Sequence, residues 1–236
     1  MTMTENHTNT VIGTRMLRRE DPALLTGEGK YTNDLNIPGA LHLAVLRSPY
    51  AHAKIISIDT SAAKALPGVV AVYTGAELAS EWAGPMPCAW PVTPDMKNPA
   101  HYPLAVSKVC YVGDGVVAIL ATNETASRDA LDLVDVQYEP LKAVVDVEEA
   151  LKDNIVIHDE LGTNKSYTWP LLVEETPGCV EEAFKKAKYT VSERYVQQRL
   201  LPMAMEPRAV AAVPQPFGGD ITLYSSTQVP HILKVM

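Results

Sequence analysis

Hydrophobic and polar positions alternate clearly in several places along the chain. Leu41, Leu43 and Val45 recur every second residue within Gly39–Ser48, the period of a half-buried strand. Ala53–Asp59 and Val69–Tyr73 read as two further strands. A short helix over Ala62–Leu66 separates them, with Thr60 or Ser61 available to cap it and Pro67-Gly68 to stop it. Val109–Ala121 holds two strand-like runs divided by Gly113-Asp114-Gly115. The second, Val116–Ala121, is apolar throughout, which predicts a central strand covered on both faces. The pattern then shifts to a helical period. Ala126, Ala130, Leu131 and Val134 form one apolar stripe of a helix over Ala126–Val134, capped by Asn123 or Thr125. Val136–Pro140 returns to strand.

The second half is less regular. A short helix is predicted near Val147–Lys152, a loop over 153–178 and an amphipathic helix over Cys179–Ala187. Strands are expected over Tyr189–Gln197, Ala209–Val213 and Ile221–Ser225, the last two joined by a Pro- and Gly-rich turn around Phe217-Gly218-Gly219-Asp220. After Ser225 the chain turns through Ser226-Thr227-Gln228 toward a helix. The segment 82–103 carries prolines at 85, 87, 91, 94, 99 and 103, which predicts a long irregular loop of the kind that is functional or contacts a partner. The opening residues 1–13 are polar and read as a disordered tail. The fold class is therefore mixed α/β and α+β: one α/β unit over 14–145, then a separate region over 146–236.

Composition narrows the function. The chain has 236 residues, 47% of them hydrophobic, enough for a real core. A net charge of -8 with only 20 Lys and Arg, none in a dense stripe, argues against a nucleic-acid partner. No apolar run reaches the roughly 20 residues of a membrane span, and the N-terminus has no secretory signal core, so a cytoplasmic location is expected. Cys88, Cys110 and Cys179 form no CxxC pair, and the six histidines show no ligand spacing, so the residues suggest no metal site held by this chain. The glycine pairs at 27/29 and 113/115 complete no phosphate-binding motif and read as turns. Ser48 lacks the glycines of a nucleophile elbow.

Two stretches remain chemically specific. Met205-Glu206-Pro207-Arg208 places a carboxylate before a proline, in extended backbone. Arg199 and Arg208 lie nearby, so a structural ion pair on Glu206 outweighs a catalytic role. In Ser226-Thr227-Gln228, Gln228 could orient an anionic or oxo ligand through its amide. The simpler reading of the three polar residues is that one caps the next helix.

Taken in order along the chain, the motifs resemble those of a family. Gly13–Tyr31, Leu46-Arg-Ser-Pro-Tyr-Ala-His-Ala-Lys-Ile55, Tyr102-Pro-Leu-Ala105 with Val109–Gly113, and Arg128–Val134 with Val136–Leu141 are followed by Gln198-Arg199, Met205–Arg208 and Ser226–His231. This series is similar to the N-terminal part of the molybdenum-binding large subunit of the xanthine dehydrogenase and aldehyde oxidase family. In look it is closest to the large chain of aerobic carbon monoxide dehydrogenases.

The resemblance implies an α/β hammerhead domain over 14–145 and the N-terminal portion of a molybdopterin-binding domain over 146–236. It implies a molybdenum hydroxylase acting on an aldehyde, an N-heterocycle or carbon monoxide, with molybdopterin in its cytosine dinucleotide form. The 2Fe-2S clusters and FAD would sit on an iron–sulfur subunit and a FAD subunit. Gln228 matches the glutamine that hydrogen-bonds the oxo group of the molybdenum centre. The family's glycine-rich segment, active-site loop and catalytic glutamate have no counterpart here. No catalytic residue and no metal ligand is therefore expected on this chain. The remaining molybdenum-domain polypeptide would have to come from elsewhere, unless the chain is a truncated product. A non-catalytic assembly or binding module is the alternative.

Overall fold

The structure is a computed structural model that describes residues 12–88, 91–169 and 177–235. Most of the expected disordered tail, residues 1–11, lies outside them. In chain order the elements are α1 (Asp21–Thr26), β1 (His42–Arg47), β2 (Ala53–Asp59), α2 (Ser61–Ala65), β3 (Val69–Thr74), α3 (Gly75–Leu78), β4 (Lys108–Val109), β5 (Gly115–Ala121), α4 (Glu124–Asp129), β6 (Asp135–Pro140), α5 (Val147–Ala150), α6 (Cys179–Lys186), β7 (Val210–Pro214), β8 (Ile221–Ser225) and α7 (Pro230–Val235). They divide between two compact units. One is Gly39–Ser192; the other joins residues 1–38 to 193–236.

The Gly39–Ser192 unit is built on two antiparallel three-stranded sheets, ordered β1-β5-β3 and β4-β2-β6. The uniformly apolar β5 is the middle strand of the first, as its pattern predicted. Val116, Val117, Ile119 and Ala121 on it are buried. His42 to Leu46 pair with Ala121 to Val117 on one side, and Val69 to Thr74 pair with Ala121 to Val117 on the other. Ala53, Ala63, Val72, Val109 and Ala130 complete the same core. Small side chains at 53, 63 and 130 let the helices and the second sheet approach the strands closely.

Local chemistry sets the helix starts. Asn123 caps α4: its Oδ1 accepts from the Ala126 N–H at 2.8 Å. The helical stripe to Val134 is completed by a 3₁₀ turn over Ala130–Leu133 rather than by continuous α-helix. At α2 neither expected cap makes a side-chain bond to the helix. Asp59 Oδ1 instead accepts from the Ser61 N–H at 2.9 Å, and hydrogen bonding from Ser61 holds that carboxyl below its usual range. The α3 turn was not evident in the apolar pattern. A capping box forms it: the Glu77 N–H donates to Thr74 Oγ1, and the Thr74 N–H donates back to Glu77 Oε2 at 2.8 Å. Gly75, in α3, is required by packing, because a Cβ there would lie 2.2 Å from the Ala105 carbonyl oxygen.

The proline-rich stretch is irregular, as expected. It is pinned by an antiparallel bridge between Met86 and His101 and by stacking of Trp82 on Tyr102 at 5.2 Å. Residues 89 and 90, within that loop, and 170–176, within the second expected loop, lie outside the described residues.

In the second unit β7 and β8 form a hairpin, Val210 opposite Ser225 and Pro214 opposite Ile221. The Phe217–Asp220 stretch is its turn, closed by the Gln215 N–H donating to the Asp220 carbonyl at 2.8 Å. One expectation fails. The strand predicted over Tyr189–Gln197 is not formed; residues 189–204 belong to no helix or strand. A strand exists only when a neighbour completes its ladder, and the described chain offers none to this segment.

Candidate functional site

The end of β8 and the residues before β7 converge on one point, and Ser226 holds them there. Its backbone N–H donates to the Ala209 carbonyl at 3.1 Å, extending the hairpin by one step. Its Oγ accepts from the Ala209 N–H at 2.8 Å and lies 3.1 Å from the Pro207 carbonyl, to which the hydroxyl can donate. Ser226 therefore ties the Glu206–Ala209 stretch to the turn leading into α7.

Thr227 makes the turn itself. Its Oγ1 accepts from the Val229 N–H at 3.3 Å, and Pro230 opens α7 with a ring already set for helix. The simpler expectation, that one of the polar residues caps the helix, is not met: Thr227 bonds the N–H of Val229, one residue before α7 begins. Gln228 does not cap it either: its side chain is exposed and makes no hydrogen bond among the described residues. Gln228 instead lines a depression of about 320 Å³ with Ala204, Glu206, Arg208, Ser226 and Thr227.

Glu206 has a different partner from the one expected. Among the described residues it makes no ion pair with Arg199 or Arg208. Its Oε1 accepts from the Thr32 N–H at 3.0 Å, at the start of a 3₁₀ turn over Thr32–Asp34. The N-terminal and C-terminal segments of this unit are thereby joined. Arg208 also lines the depression, and among the described residues it makes no ion pair with Glu206. The site thus presents two sets of N–H donors, Gln228 amide and Arg208 guanidinium. Such a donor set suits an oxo group or an oxyanion. It supplies no metal ligand, and among the described residues no group of three or more His, Cys, Asp or Glu could hold a metal ion.

Larger cavities lie in the Gly39–Ser192 unit. One of about 470 Å³ is lined by Cys88, Tyr102, Cys110, Asp114 and His158, among others. Its chemistry is muted. Burial pushes the Cys110 thiol up, which keeps it protonated and poorly nucleophilic. Asp114 is occupied by the Cys110 N–H at 3.1 Å. All three cysteines are free.

Comparison with known proteins decides which family carries this arrangement. Residues 26–142 match the family model for the α/β hammerhead domain of aldehyde oxidase and xanthine dehydrogenase, and residues 157–236 match that for the molybdopterin cofactor-binding domain. The chain belongs to the xanthine dehydrogenase and aldehyde oxidase family. Its fold is a hammerhead domain followed by the start of a molybdopterin-binding domain, and it corresponds to the N-terminal part of the family's molybdenum-binding large subunit. The chain is 38% identical to the nicotine 6-hydroxylase large subunit of Paenarthrobacter nicotinovorans, over 97% of this chain and 27% of that protein. Identity to the carbon monoxide dehydrogenase large chain of Hydrogenophaga pseudoflava is 30%, over 94% of this chain and 28% of the relative. In the solved quinoline 2-oxidoreductase of Pseudomonas putida 86, 33% identical, the match has a TM-score of 0.83 and covers 95% of this chain and 28% of that one. The chain thus spans about a quarter of the length of these family members. No helix among the described residues is long and apolar enough to cross a membrane.

Proposed function

We propose that this chain is the first part of a molybdenum hydroxylase large subunit, and that Gln228 is its contact with the molybdenum centre. The observation that carries the reading is the unengaged Gln228 amide, held by the Ser226 tie at the edge of a donor-lined depression. Ser226 fixes the backbone, Thr227 sets the turn, and Gln228 is left to donate to an oxygen outside this chain. The cofactor, when bound, supplies the two-electron chemistry, and the protein supplies placement. This chain would contribute orientation: the Gln228 amide would donate to an oxygen of the centre, and Arg208 would add positive charge nearby. It contributes no general base in this reading.

The proposed division is a tail over 1–13, a hammerhead part over 14–145 and a cofactor-domain part over 146–236. The cofactor would be molybdopterin in its cytosine dinucleotide form. Electrons would leave through 2Fe-2S clusters and FAD on separate iron–sulfur and FAD subunits, in the cytoplasm. The substrate class is an aldehyde, an N-heterocycle or carbon monoxide. Relatives named for nicotine and quinoline support the heterocycle, and those named for carbon monoxide support the last.

The experiment is Gln228→Ala in the purified native assembly, with molybdenum measured beside turnover. Loss of one hydrogen bond to a charged or strongly polar oxygen should lower kcat by roughly 10- to 100-fold with molybdenum retained. Full turnover in the variant would remove Gln228 from the site. Absence of molybdenum from the wild-type assembly would overturn the hydroxylase reading and leave an assembly or binding module.

A further inference from the structure

Residues 189–201 mix aromatic, β-branched and leucine side chains with polar ones, and in the described structure they belong to no helix or strand. Tyr189, Val191, Tyr195, Val196, Leu200 and Leu201 are between 75% and 87% exposed. Aromatic and β-branched residues of this kind favour a pleated, half-buried surface. In extended chain Tyr189, Val191 and Tyr195 share one face with Glu193, while Thr190, Ser192 and Arg194 share the other with Val196, so the apolar and polar alternation of a sheet strand is clearest over 189–192. A linker or disordered segment would be polar instead. Just before it, the apolar side of α6 (Val180, Ala183 and Phe184) joins Tyr189 and Val191 in lining an open groove of about 480 Å³. The exposed apolar surface that α6 shares with Tyr189 and Val191 marks an interaction face.

We infer that residues 189–200 form a β-strand that is completed by pairing with a strand from the remainder of the molybdopterin-binding domain, whose apolar surface also covers the groove beside α6. The inference rests on the family reading. The occupant follows from two observations. The segment lies inside 157–236, the part that matches the molybdopterin-binding domain, yet among the described residues the strands formed there are the two of the β7–β8 hairpin. A two-stranded hairpin is marginal by itself, so the domain's sheet needs further strands. The family members extend well beyond the matched region, which is 27% of the nicotine 6-hydroxylase large subunit, and that remaining length is polypeptide able to supply them. Main-chain pairing gives the affinity, and the alternating side chains give the register. Pro202 ends the strand by withholding an N–H.

Hydrogen exchange read by mass spectrometry tests this on two samples, the 236-residue chain by itself and the native assembly purified with whatever polypeptide accompanies it. Amides of 189–200 should exchange at near-unprotected rates in the chain alone and at least roughly 100-fold more slowly in the assembly, as paired strand amides do. Rapid exchange of 189–200 in an assembly whose β7 and β8 amides are protected would overturn the inference. So would protection in the chain alone that appears with a concentration-dependent dimer, because the occupant would then be a second copy. Val196→Pro should weaken retention of the accompanying polypeptide while Val196→Thr does not; equal retention in both would sink strand pairing. If Val196→Pro does not fold, the wild-type exchange comparison still decides. Molybdenum content is measured on the same sample, so a missing metal counts against the function proposed above and exposed strand amides count against this inference.

Discussion

At the residue scale, Ser226 and Glu206 show how a site can be assembled from side chains that do no chemistry. Ser226 Oγ reaches the backbone on both sides of Arg208, at Pro207 and Ala209. Ser226→Ala leaves the Ala209 N–H without that partner and should cost about 1 kcal/mol. In the assembly it should weaken the effect of Gln228 on turnover more than it weakens folding. A variant that lowers melting temperature yet keeps wild-type kcat would separate the two roles. The ion pair expected on Glu206 is not formed among the described residues; a backbone N–H takes the place of the arginine. Arg199 and Arg208 were close in sequence, whereas the Thr32 N–H that it accepts from is remote in sequence and came near only through folding. Nothing in the order of residues points from position 206 to position 32.

At the scale of elements, the caps carry the testable energetics. Thr74 donates to Glu77 through its N–H and its hydroxyl, and the Lys64 ammonium adds attraction, so the Glu77 carboxyl sits below its usual value near 4.5. The sign follows directly. A carboxylate whose pKa is depressed by folding stabilises the fold fully above the unfolded pKa, and that contribution fades as pH falls through the lower folded value. Glu77→Gln should therefore flatten part of the loss of stability seen below about pH 4.5 and leave the neutral range nearly unchanged. A melting series against pH checks it. The middle strand offers a larger effect. Ile119 is fully buried in β5, and Ile119→Ala should destabilise the Gly39–Ser192 unit by about 2–5 kcal/mol, measured by denaturant unfolding. β5 was legible because a strand covered on both faces must be apolar at every position. The α3 turn was not, because four residues are too few to show a helical period, and only the Thr74/Glu77 box announced it.

For the whole molecule, chain order and spatial grouping part ways. Residues 1–38 group with 193–236, while the long middle forms its own unit. The exposed apolar side chains within 189–201 make a prediction at this scale beyond strand pairing. The 236-residue chain alone should bind a hydrophobic dye such as ANS, and the native assembly should suppress that signal as the surface is covered. An equal signal in both would mean that the surface stays open.

The sequence by itself determined the strands and helices whose signals are local: period-two alternation, the continuous apolar run of β5, the Asn123 cap, and the glycine and proline turns. It also determined the family, because a series of weak motifs in a fixed order is specific where each alone is not. Tertiary structure decided three things: that Thr227 makes the turn before α7 while Gln228 lines the depression, that Glu206 is held by backbone rather than by arginine, and that Tyr189–Gln197 stands without a ladder among the described residues. Each depends on which groups lie within hydrogen-bonding distance. A strand's composition is written in its own residues, but its existence is a property of two chain segments, and only the folded arrangement shows whether the second is present.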